Sequence, residues 1–152
     1  MQPKIIKFTR EGYQKLEADW QTLTEKRKGT VVSLRTAREM GDLSENGAYK
    51  AARFELSDID RRLRRLKFLL RFGQIAEVKN TGVVGFGSRV TLDDGQKQMT
   101  FTLVEGYESD PKQQKLSVFS PIGKAIVGKR AGDKVIVTAP AGQTTYTIVN
   151  FE

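Results

Sequence analysis

The chain has 152 residues, 38% of them hydrophobic and four of them proline, with a formal net charge of +8, which describes an ordered protein of one domain or two small ones. With no cysteine and no histidine, disulfides, thiolate metal sites, serine-type triads and zinc centres are excluded. No stretch reaches the roughly 18 to 20 apolar residues that cross a bilayer, and residues 1–10 lack the apolar core of a secretory signal, so a soluble protein in the cytoplasm is expected.

Over residues 9–71 the apolar spacing follows two heptad ladders. The first reads Leu16, Trp20, Leu23, Arg27, Thr30, Leu34, Ala37; the second reads Tyr49, Ala52, Leu56, Ile59, Leu63, Leu66, Leu70. Both step by alternating threes and fours, the repeat of a coiled-coil seam. Paired outwards from the middle, they set 37 against 49 and 16 against 70 and centre the fold-back on Leu43, which predicts an antiparallel helical hairpin. Thr9 is the expected N-cap, Glu11 complements the dipole of the first turn, and Gly41 and Gly73 are the expected stops. Each helix then runs about 30 residues, on the order of 45 Å. Arg27 and Thr30 occupy seam positions where Leu packs better, and are read as setting register.

After Gly73 the pattern changes to short alternating runs. Strands are predicted over residues 82–86, 89–92, 99–104, 115–119, 134–138 and 144–148, the last continuing towards Phe151, with Asp93-Asp94-Gly95 and Pro140-Ala141-Gly142 as turns. Ser120 as N-cap and Pro121 at the first helical position open a short helix that ends at Gly128. The fold class is therefore α+β: an antiparallel coiled-coil hairpin over residues 1–78, followed by a small antiparallel sheet domain with one helix over residues 79–152.

The charge is uneven. Residues 1–79 hold 18 Lys and Arg against 11 Asp and Glu, a net of +7, and the remainder is nearly balanced. A basic hairpin favours a polyanionic partner such as nucleic acid, and equally describes a solvated coiled-coil face. The fold-back, Gly41-Asp42-Leu43-Ser44-Glu45-Asn46-Gly47, carries two carboxylates three residues apart. Asp42 and Glu45 suit a hard divalent cation held by oxygen, Mg²⁺ above all, but two ligands leave most of its shell to water. Such a site is completed only if the hairpin carries its carboxylates into another macromolecule's active site, where a metal activates water for phosphodiester hydrolysis. The other reading of Asp-Leu-Ser-Glu is a capping arrangement at a helix start. Arg38 and Arg53 flank the turn, either as a cationic spot for phosphates or as a solvated or salt-bridged pair. Arg61, Arg62, Arg64, Arg65, Lys67 and Arg71 lie farther down the second helix and read mainly as a solvated face.

At these residues the chain resembles the bacterial transcript cleavage factors of the GreA/GreB family. The likeness spans nearly the whole length: Thr9-Arg10-Glu11-Gly12-Tyr13, the fold-back motif itself, Tyr49-Lys50-Ala51-Ala52, and Ser120-Pro121-Ile122-Gly123-Lys124-Ala125 with Gly128-Lys129. It implies a coiled coil that enters the secondary channel of RNA polymerase and an FKBP-like domain that holds the channel rim. It also implies stimulated hydrolysis of the nascent RNA 3′ end when polymerase backtracks, by the polymerase's own active site rather than by a complete enzyme. By position, Asp42 and Glu45 would support a catalytic Mg²⁺ shared with polymerase. Arg38 and Arg53 would meet the extruded RNA, and Ser120, Pro121, Ile122, Gly123, Lys124 and Ala125 would lie in the polymerase-binding surface of a protein that is monomeric when free. The FKBP-like name also invites a prolyl isomerase reading, for which no aromatic pocket is recognisable in the sequence. One departure stands out: the family commonly has Ala-Glu where this chain has Gly47-Ala48. A channel-binding regulator that does not promote cleavage is the alternative attached to that change, and a nucleic-acid-binding coiled coil without polymerase is a third reading.

Overall fold

The computed structural model describes residues 4–152, which divide into two compact units, one built from residues 4–5 with Glu11–Gln74 and a second built from Ile6–Arg10 with Ile75–Glu152. In chain order the elements are β1 (Ile6–Phe8), α1 (Arg10–Arg38), α2 (Gly47–Phe72), β2 (Gly73–Ile75), β3 (Arg89–Asp93), β4 (Gln98–Val104), β5 (Lys115–Ser117), α3 (Pro121–Ile126), β6 (Lys134–Ala139) and β7 (Gly142–Phe151), with one 3₁₀ turn at Pro111–Gln113.

The first unit is the helical hairpin, and its seam follows the ladders. Leu23, Thr30 and Ala37 are buried on α1, and Ala52, Ile59 and Leu66 on α2, each set spaced by one heptad. The alternate ladder positions stay half-covered or exposed, because two helices can close only one layer of side chains completely. Leu23, Ile59 and Leu66 form the core of this layer, with Leu16, Trp20 and Leu63 packed against it. Thr30 satisfies its hydroxyl by donating to the Lys26 carbonyl at 3.0 Å, and Arg27 leaves the seam to meet Asp60 at 2.6 Å. Tyr13 reaches across from α1 to donate to the Leu70 carbonyl at 3.2 Å. Leu69 is buried although it lies off the ladder.

Of the expected helix ends, α1 starts directly after Thr9 and α2 stops at Gly73, and only the C-terminal end of α1 differs. The first helix closes at Arg38, three residues before Gly41, whose φ of +117° carries the turn through a left-handed conformation. Thr9 directs both its backbone N–H, at 3.0 Å, and its hydroxyl to the carboxylate of Glu108 within the second unit. Gly73 does stop α2, its N–H donating to the Leu69 carbonyl.

In the second unit the strands run in the order β5-β4-β3-β7-β6. All neighbours are antiparallel except β4 and β5, which pair in parallel with Leu103 opposite Leu116, so the purely antiparallel expectation is corrected at that edge. A parallel neighbour cannot be reached through a tight hairpin; here the chain crosses over through residues 105–114, including the 3₁₀ turn capped by Asp110. The strand predicted over residues 82–86 is absent. Left-handed Gly82 and Gly87, at φ +78° and +82°, bound the segment. Val84 instead pairs its backbone with the loop after α3, accepting from Gly128 and donating to Lys129, each at 2.8 Å. The core is formed by alternate residues of the sheet, Val90, Leu92, Phe101, Leu103, Val135, Val137 and Ile148, closed by Val84 and by Ile126 of α3.

Two glycines have opposite reasons to be glycine. Gly29, inside α1, meets nothing that a methyl group would touch, and is followed by β-branched Thr30, Val31 and Val32. Gly29→Ala is therefore expected to stabilise α1 by about 0.8 kcal/mol, read as slower amide hydrogen exchange over residues 25–33. A Cβ on Gly123 would lie 2.3 Å from the Ser117 carbonyl oxygen and 2.9 Å from the Val118 Cα, both backbone. Gly123→Ala is expected to destabilise the second unit by about 3 kcal/mol in denaturant titrations.

Candidate functional site

The fold-back between α1 and α2 is organised by Asn46. Its side-chain oxygen accepts from the Tyr49 N–H at 3.0 Å, capping α2, and its side-chain amide donates at 2.6 Å to the Ala37 carbonyl, which also accepts from the Met40 N–H at the end of α1. One residue thus clasps both helices. The capping alternative for Asp-Leu-Ser-Glu is answered by this geometry, since the cap falls on Asn46 and not on Asp42 or Ser44. Asp42 makes a local Asx turn: its Oδ1 accepts from the Ser44 N–H at 2.9 Å and from the Ser44 hydroxyl at 2.8 Å.

Asp42 and Glu45 are both exposed. Oδ2 of Asp42 and both oxygens of Glu45 accept no hydrogen bond among the described residues. The first carboxylate is oriented by the loop, and the second has no such partner among the described residues. The Ser44 N–H, and after it the Ser44 hydroxyl, hold the Asp42 carboxyl below the usual carboxylate range. Among the described residues no three acidic side chains converge into a metal site. The donor set present, carboxylate oxygen with open lone pairs and no nitrogen or sulfur, fits a hard cation that brings its remaining ligands with it.

Arg38, the last residue of α1, lies over the Tyr49 ring at 5.8 Å from its centroid, which places one guanidinium beside the first turn of α2. Arg53 is exposed on the second turn. Neither forms an ion pair among the described residues, so the salt-bridged reading of these two is not realised. Gly47 opens α2 in open space, where a side chain would fit, and Ala48 is exposed. Met40 and Leu43 also project from the turn, 73% and 38% exposed. Asn46 and Tyr49 are the residues that sequence reasoning passed over as parts of the site; the cue was an Asn immediately before a helix start.

The second segment singled out from sequence divides by role. Ser120 caps α3 through Gly123 N–H at 3.0 Å and donates its own hydroxyl to the Ser117 carbonyl at 2.6 Å. Gly123 is buried, and Ile122 and Ala125 pack against the sheet core. Only Pro121 and Lys124 face outwards, flanked by exposed Phe119 and Val127. Half the motif thus serves the fold of α3 and half is available to a partner.

Residues 6–75 match the family model described as Transcription elongation factor, N-terminal, and residues 79–152 match that described as Transcription elongation factor, GreA/GreB, C-term. The transcription elongation factor GreA of Neorickettsia sennetsu (strain ATCC VR-367 / Miyayama) is 40% identical over 152 residues, covering 97% of this chain and 96% of its own. That of Geobacillus kaustophilus (strain HTA426) is 41% identical over 152 residues, with 96% of each chain covered. The chain belongs to the GreA/GreB family of transcription elongation factors. Among solved structures, that of the GreA factor homolog 1 (Gfh1) protein of Thermus thermophilus is 27% identical, with a TM-score of 0.48 over 98% of this chain and 99% of that one.

The lowered Asp42 pKa has a pH consequence. The turn contacts of the ionised carboxylate are fully present above the ordinary carboxylate pKa and are lost as pH falls through the lowered one. In a carboxyl-carbon NMR titration Asp42 is expected to titrate below the ordinary aspartate value, and Ser44→Ala to move it part of the way back, since the Ser44 N–H remains.

Proposed function

We propose that this protein acts on RNA polymerase in the cytoplasm, as a monomer, by inserting the hairpin turn into the secondary channel and stimulating hydrolysis of the backtracked RNA 3′ end. The observation that carries this reading is a pair of exposed carboxylates with open lone pairs, Asp42 and Glu45, on a turn clasped by Asn46 and bordered by two guanidinium groups without carboxylate partners. Asp42, pre-oriented and ionised at neutral pH, presents Oδ2; Glu45 swings to complete the pair. Together they would hold Mg²⁺ jointly with the polymerase's own ligands. Bound there, the ion supplies charge stabilisation for the phosphodiester and a more acidic water. Arg38, steadied by Tyr49, and Arg53 would hold phosphates of the extruded RNA beside the carboxylates. The protein itself is not a complete enzyme on this reading, because the chemistry belongs to the polymerase. Pro121 and Lys124, with Phe119 and Val127, form the outward part of the proposed polymerase-binding segment.

Asp42→Asn and Glu45→Gln are expected to reduce RNA cleavage in backtracked complexes to the unstimulated rate while leaving polymerase binding intact. Cleavage by either variant at the wild-type rate would remove the mechanism. The regulator reading rests on Gly47-Ala48, which open α2 with no acidic side chain where the family commonly has Ala-Glu, in open space that would admit one. It is favoured over cleavage if the wild-type protein binds polymerase and leaves backtracked RNA intact in Mg²⁺.

A further inference from the structure

On the side of the hairpin, well away from the turn, Trp20 and Arg27 of α1 and Asp60, Leu63, Arg64 and Lys67 of α2 line an open groove with a cavity volume of about 250 Å³. Lys67 lies twenty residues beyond the start of α2, roughly 30 Å along the helix. The groove is therefore distinct from the carboxylate turn.

Its chemistry is lopsided. Arg27 engages Asp60 through two nitrogens, at 2.6 and 3.4 Å, and neutralises the one acid lining the groove. Asp58, the next acid on α2, is engaged by Arg61 and Arg62. Arg64, whose charge also acts on Asp60 without a direct bridge, and Lys67 line the groove with no ion pair among the described residues. Three residues apart on a helix, their Cβ atoms stand about 5 to 6 Å from each other, close enough to grip one short polyphosphate. Beside them the wall is apolar and aromatic: Leu63 and the half-buried Trp20, an aromatic face of the kind on which nucleobases stack.

We propose that this groove binds a free nucleoside di- or triphosphate, its base against Trp20 and its phosphates between Arg64 and Lys67. A single aromatic ring and a pair of cations match one nucleotide. A nucleic-acid strand would call for stacking surfaces repeated along its length, and this groove holds one ring. The site stands independently of the cleavage reading, since it uses neither the carboxylates nor Arg38 and Arg53.

Trp20 is the sole tryptophan, so its indole N–H gives one NMR signal that reports on the groove directly. With the full chain and no polymerase present, ATP is expected to shift that signal saturably, and adenosine or tripolyphosphate alone to do so only at higher concentration. Arg64→Gln and Lys67→Gln, both at exposed positions, are each expected to weaken ATP binding about tenfold with an unchanged circular dichroism spectrum. The proposal is overturned if ATP and GTP leave the indole signal unmoved at cellular nucleotide concentrations, or if the double variant binds ATP as wild type does. It is equally overturned if a single-stranded RNA oligomer shifts the signal where free nucleotides do not, which would make the groove part of a strand-binding surface.

Discussion

Two helices packed side by side can bury one layer of side chains completely, and everything about the first unit follows from that layer. Leu23, Thr30 and Ala37 are buried on one helix and Ala52, Ile59 and Leu66 on the other, with Leu23, Ile59 and Leu66 in one cluster, and the heptad spacing fixes which face of each helix is buried. A slip of either helix by one residue would carry charged neighbours into the seam. Register in turn decides which residues fall in the turn, and hence that two carboxylates stand there. A hairpin this thin has little buried area in reserve, so the clasp by Asn46, which caps the first turn of α2 and adds a second hydrogen bond to the Ala37 carbonyl at the end of α1, secures the end where the seam runs out.

That economy leaves most of the hairpin's polar groups unspent. Several cations find partners, as in Lys26 with Glu55 and Arg27 with Asp60, but these are surface pairs that contribute little to stability. The net positive charge of this half of the chain is thus available to anions. Arg38 and Arg53 near the turn, and Arg64 and Lys67 farther down, are the clearest instances, and they separate in both location and neighbourhood. A basic face is not one functional surface merely because it is basic: an adjacent carboxylate pair defines one place and an adjacent indole ring the other.

The second unit shows how a short motif divides its duties. In Ser-Pro-Ile-Gly-Lys-Ala, Ser120 and Gly123 exist for the turn into α3, where backbone crowding admits no side chain, and Ile122 and Ala125 belong to the core. The outward residues Pro121 and Lys124 are held in place by those inward ones. The motif that reads as one binding surface in sequence is structurally half scaffold.

Periodicity in the chain was sufficient for the hairpin, its fold-back near Leu43, the two acids in the turn and the short helix after Ser120, because each depends on contacts within a few residues or on a repeat that must bury one face. Alternation likewise located β3, β4, β6 and β7. The failures share a cause. Gly82-Val83-Val84-Gly85-Phe86 has a strand's composition, yet Val84 pairs with the loop at residues 128–129, a partner more than forty positions away. The parallel edge at β5, the cap on Asn46 and the groove beside Trp20 likewise depend on which distant backbone or side chain arrives alongside. Local spacing determines what an element is and which face it buries; only the folded arrangement decides what that face meets, since hydrogen-bond partners and cavities are properties of neighbours in space.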